Sequence, residues 1–201
     1  MLSKLNSPIQ VLKLKRVNYQ IDEDGAWLVG ARIIESPNCD ERAELSDISL
    51  LVIHGISLPP KEYGGGFIDQ LFTNTLIPEA HPYFAEIHEL RVSSHLLIDR
   101  KGEVTQYVPF TKRAWHAGES CFDGREVCND FAIGIELEGC DEEAYCEIQY
   151  TTLAKVTDMI CQRWNKITKD RIVGHSDIAP GRKTDPGPAF DKNYYLSLLT
   201  L

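Results

Sequence analysis

Apolar positions along the chain fall into short runs separated by polar, turn-rich stretches, and their spacing changes from run to run. DISLLVIHGIS, residues 47–57, is dense in Leu, Val and Ile, which predicts a buried strand ending at His54. PPKEYGGG (59–66) then predicts a mobile, turn-rich loop. IDQLF and PEAHPYFAEIHEL read as short helical pieces broken at Pro82. HLLIDRKGEVTQYVPF (95–110) reads as a hairpin turning at Arg100-Lys101-Gly102. In FAIGIELEG (131–139) the residues alternate, with Ile133, Ile135 and Leu137 on one face and Gly134, Glu136 and Glu138 on the other. From Thr151 to Thr168 the period lengthens, and Leu153, Val156, Ile160, Trp164 and Ile167 share one helical face. RIVGH (171–175) is a last short strand. Strands and helices interleave, so the expected fold is an α/β (α+β) domain on a central sheet.

Composition narrows this picture. A chain of 201 residues suits one domain, here residues 25–201 beginning near Trp27, with residues 1–24 as an N-terminal extension. No apolar run approaches the roughly 20 residues that span a bilayer. The first residues mix apolar and basic positions without a continuous apolar core or a small-residue cleavage site, so no secretory signal and a cytoplasmic location are expected. Six cysteines form no C-x-x-C pair, which fits reduced thiols packed as small apolar residues. The net charge of −9 argues against nucleic acid or a membrane surface as partner, and leaves room for a small ligand held by local cations.

The chemistry concentrates in histidines and carboxylates near strand ends. His54 and His175 both sit at the C-terminal ends of predicted strands, where sheet proteins present side chains to a crevice. Asp185 follows ten residues after His175 across GHSDIAPGRKTDPGP, a loop stiffened by Pro180, Pro186 and Pro188. Two imidazoles and a carboxylate, with a fourth position open, make a catalytic zinc set suited to amide hydrolysis. The competing reading is that each histidine caps its strand. Glu136 is either a buried carboxylate kept as a general base or, with Glu138, part of an ordinary wet strand face. Lys183 reads as an oxyanion-stabilising cation or a solvated loop residue. Asp177 and Arg182 read as scaffolding. His81 and His88 read as solvated or packing residues; His95 and His116 stay open between supporting a ligand and touching substrate.

LLVIHGISLPP, EYGGGFID, HPYFAEIHELRVSSHLLI, GEVTQYVPFTKRAWHAG, CNDFAIGIELEG and GHSDIAPGRKTDPGPAF, in that order, resemble the zinc amidases that share a fold with peptidoglycan recognition proteins. The resemblance implies a central mixed sheet flanked by helices and one zinc ion per chain, held by His54, His175 and Asp185. It implies Glu136 as general base and Lys183 as oxyanion cation. It further implies a small muropeptide substrate, cleaved between the lactyl group of a 1,6-anhydro-muramyl sugar and L-alanine during cell-wall recycling, with Arg91, Trp115, His116 and Arg125 near it. No obligate protein partner is implied. Two positions depart from the family: Gly55 where relatives carry Asn, and Val127 where they carry Arg. The rivals are a metal-free muropeptide-binding module of the same fold, an amidase of broader N-acetylmuramoyl specificity or one exported to act on intact wall, and an unrelated cysteine hydrolase.

Overall fold

The Leu-, Val- and Ile-rich runs become the central strands of a six-stranded sheet in the computed structural model, which describes residues 18–201. The extension reading therefore lies, for residues 1–17, outside the described residues. The chain enters through a hairpin of β1 (Gln20–Ile21) and β2 (Leu28–Val29), followed by β3 (Arg32–Ile33) and β4 (Cys39–Glu41). Tyr19 and Ile21 already pack against the main core. β5 (Leu50–Ile56) leads to α1 (Phe67–Phe72) and α2 (Phe84–Ile87), and then to the hairpin of β6 (Leu96–Ile98) and β7 (Val104–Gln106). β8 (Lys112–Ala114) pairs with β4, and β9 (Cys121–Phe122) with β10 (Arg125–Glu126). β11 (Ala132–Glu138), α3 (Glu147–Arg163), β12 (Ile172–Gly174), α4 (His175–Ile178) and α5 (Lys192–Ser197) complete the order.

The sheet runs β12-β5-β11-β6-β7-β3. Its first four strands are parallel, β7 returns antiparallel to β6, and β3 runs parallel to β7 at the edge, so the sheet is mixed. Every residue of β11 is buried, as expected for a central strand covered on both faces. One face carries Leu51, Ile53, Ile133, Ile135 and Leu137 against Leu153, Val156 and Ile160 of α3. The opposite face splits into two smaller apolar clusters. Leu97 and Tyr107 pack with Leu71, Phe72 and Phe84 in one; Leu50, Val52 and Ala132 pack with Phe131 and Ile178 in the other. Polar residues of β5 and β11 emerge between these clusters.

Several boundaries differ from the pattern reading. β5 continues past His54 to Ile56, because its pairing with β11 persists to Glu138↔Ile56. α3 begins at Glu147, where Gln149 Oε1 accepts the Cys146 N–H at 3.0 Å, and ends at Arg163 rather than Thr168. Trp164 leaves helical dihedrals to pack against Phe110, and Ile167 stays buried from a turn, so the apolar spacing outlasts the helix. The 95–110 hairpin forms as read: Asp99 Oδ1 accepts the N–H groups of Lys101 and Glu103, and Gly102 takes φ 78°. Among the described residues no helix is long and apolar enough to cross a membrane.

Candidate active site

Register builds the centre of the site. β11 pairs parallel with β5 so that Glu136 lies beside His54, and both point away from the α3 face. β12 then delivers His175 at the first position of α4. The loop beyond α4 turns back on itself: Lys183 N–H donates to the carbonyl of Ala179, and Ser176 N–H donates to that of Asp185 at 2.9 Å. Tyr145, lying over Gly139 and Gly55, donates its hydroxyl to the carbonyl of Pro186 at 2.9 Å. Asp177 and Arg182 are structural. Asp177 Oδ2 accepts from Gly174 N–H and Lys192 Nζ, and Arg182 ties the loop to the carbonyls of Ala117 and Glu119.

The Nδ1 atoms of His54 and His175 stand 3.0 Å apart, and each is 3.1 Å from Asp185 Oδ2. Ligand bonds of about 2.0–2.1 Å in a tetrahedron place donor atoms roughly 3.3 Å from one another, so this triangle fits a small cation with slight expansion. These three residues could hold a metal ion. His175 Nε2 donates to the carbonyl of Ala117 at 3.0 Å, the outward hydrogen bond that a ligating imidazole ordinarily makes. Burial lowers the proton affinity of His54 against the opposing pull of Asp185. For Asp185 burial acts upward, yet its close contacts with the rings of His175 and His54 hold it well below the usual carboxylate range. A metal held by these three residues would require two neutral imidazoles and one ionised carboxylate.

Glu136 is 8% exposed, which excludes the wet-face reading, and its Oε2 is buried without a hydrogen-bond partner among the described residues. Burial, and then the nearby Asp185, push its pKa well above the ordinary 4.5, with Lys183 pulling the other way. Glu138 is buried too, but bonded: Oε1 accepts the Gly64 N–H at 2.5 Å and Oε2 the Arg100 N–H at 3.1 Å, fastening the 57–66 loop to the 99–102 turn.

A cleft of about 510 Å³ opens over this set. His54, Glu136, His175, Lys183 and Asp185 line it, as do Trp115 and His116. Arg91 and Arg125 are not in its lining. Arg91 folds onto carbonyls of residues 88–90, while Arg125 forms a two-bond pair with Asp47 and stacks on Phe131 at 3.9 Å. A Cβ at Gly55 would collide with the Tyr145 hydroxyl. Val127 is 46% exposed at φ 56°, a strained setting for a β-branched residue. Burial raises the thiol pKa of Cys39, Cys128 and Cys161, which weakens each as a nucleophile, and all six cysteines are free.

Pattern reading passed over Arg42, whose buried guanidinium donates to the carbonyls of Phe110, Asn129, Asp130 and Ala132. Desolvation brings its pKa down to about 10. A lone arginine in a charged stretch carries no signal of burial.

Residues 44–188 match the N-acetylmuramoyl-L-alanine amidase family, and the chain belongs to it. More narrowly, it is 61% identical over 165 residues to the 1,6-anhydro-N-acetylmuramyl-L-alanine amidase AmpD of Escherichia coli, covering 82% of this chain and 90% of that one. A crystal structure of selenomethionine AmpD superposes with a TM-score of 0.85 at 56% identity, covering 88% of this chain and 98% of the other. Pseudomonas aeruginosa AmpDh3, solved in complex with anhydromuramic pentapeptide, superposes with a TM-score of 0.57 at 27% identity, covering 76% and 60%.

Proposed function

We propose that this amidase hydrolyses the amide between the lactyl group of 1,6-anhydro-N-acetylmuramic acid and L-alanine, using one zinc ion held by His54, His175 and Asp185. The observation that carries the reading is Glu136: a buried carboxylate with an oxygen unpartnered among the described residues, in register with His54 and sharing its cleft. When bound, zinc supplies Lewis-acid polarisation of a carbonyl and eases the deprotonation of water at neutral pH.

The chain's own groups then divide the work. Glu136 takes a proton from the attacking water and returns it to the amine of L-alanine. Its raised proton affinity suits a group that must hold a proton between two steps. Lys183, exposed at the cleft wall, places positive charge where the carbonyl oxygen gains negative charge. Trp115 offers an apolar face to the sugar or lactyl group, and His116 lies on the floor beside His54. Arg91 and Arg125 reach a stem peptide only by leaving the contacts they make here. We place the reaction in the cytoplasm, in the recycling of cell-wall fragments.

The test is digestion of an anhydro-muropeptide beside its reducing-end counterpart, with and without chelator, resolved by mass. Release of the free stem peptide from the anhydro form, abolished by chelator, is expected. Glu136→Ala should keep stoichiometric zinc and lose at least about 100-fold in turnover. Full activity in that variant would remove Glu136 as the base, and undiminished activity in chelator would remove the metal.

A further inference from the structure

The two ligand histidines are oriented by unlike partners. A neutral imidazole carries one N–H, so whichever nitrogen holds the proton cannot ligate. For His175 the matter is decided by the carbonyl of Ala117, which only accepts: Nε2 carries the proton and Nδ1 keeps its lone pair. His54 has no such fixed acceptor. Its Nε2 faces His116 Nδ1 at 2.9 Å, and either ring is able to donate. Were His116 the donor, the His54 proton would sit on Nδ1, the atom that faces His175 and Asp185.

We propose that His116 is a positioning residue for the metal site: its Nδ1 accepts the Nε2–H of His54 and so keeps His54 Nδ1 free to ligate. This rests on reading His54, His175 and Asp185 as the zinc site. The surroundings hold the His116 ring to that task. Its Nε2 is buried with no partner among the described residues, so the contact with His54 is the ring's one hydrogen bond there. Asn129 Oδ1 accepts the backbone N–H groups of His116 and Ala117, at 3.2 and 2.8 Å. The ring rests on Gly134, where a Cβ would come within 2.6 Å of it. Gly134 is itself clasped by His95, which accepts its N–H on Nδ1 at 3.0 Å and donates a backbone N–H to its carbonyl at 3.2 Å. One β11 glycine thus seats the ring that orients a ligand on β5.

The experiment measures zinc affinity of the purified full chain by competition with a chromophoric chelator, alongside the melting temperature of each metal-free form. His116→Leu keeps bulk but removes the acceptor, and should weaken zinc binding by about 10- to 100-fold. His116→Asn sets an amide oxygen near the position of Nδ1 and should bind zinc within about threefold of wild type. Leu and wild type binding alike, or Leu and Asn impaired alike, would overturn the proposal. If leucine also lowers the metal-free melting temperature, the gap in zinc affinity between Asn and Leu still decides. A wild-type chain that takes up no zinc would instead overturn the underlying site.

Discussion

Glu136 shows how one side chain stores a pH dependence in the fold. Its carboxyl is buried, its Oε2 lacks a partner among the described residues, and its pKa lies well above the ordinary 4.5. A raised carboxyl pKa means that the folded state binds the proton more tightly than the unfolded chain does. The associated stability is therefore fully present below about pH 4.5 and is lost as pH rises through the shifted value. In chelated, metal-free protein, urea unfolding from pH 5 to 8 should show wild type losing stability relative to Glu136→Gln, which cannot ionise. A gap that stays flat across that range would mean that the carboxylate is already compensated. Neither the burial nor the missing partner was readable in FAIGIELEG, because alternation marks two faces without saying whether a second layer covers the polar one.

At the scale of elements, β11 carries three consecutive same-face positions with three separate uses: Gly134 seats His116, Glu136 faces the cleft, and Glu138 fastens two loops. Glu138→Ala leaves the N–H groups of Gly64 and Arg100 without their acceptor, and should cost about 2 kcal/mol in chemical denaturation. Loss below a few tenths would show that water replaces the carboxylate freely. The strand itself, the 95–110 hairpin and the buried face of α3 were legible, since each depends on a local period or a turn residue. The pairing of Glu136 with His54 was not, because register between strands 82 residues apart is settled by packing in three dimensions. The resemblance to zinc amidases named His54, His175, Asp185 and Glu136. It did not reveal that His116 contacts a ligand, or that Arg125 is engaged with Asp47.

Across the whole molecule, the metal reading couples the site to folding. A cation held only by the folded chain stabilises it by about 2.7 kcal/mol at 100 times its dissociation constant. For a chain of this size that should raise the melting temperature by roughly 5–11 °C. Calorimetry with added zinc should show the rise in wild type and its absence in Asp185→Ala; an equal rise in both would place the binding elsewhere. The two histidines and the aspartate do not belong to equally firm parts of the fold, however. His54 and Glu136 sit on two adjacent interior strands, whereas Asp185 and Lys183 ride on an irregular loop held by a few bonds, among them the Tyr145 hydroxyl on Pro186. Hydrogen exchange should show the amides of residues 50–56 and 132–138 opening only with the entire domain, and those of residues 181–185 and 187 opening far more often. Under the proposed zinc reading, Asp185 would part from the site while Glu136 and His54 stay in place, so that an emptied site could close again without refolding.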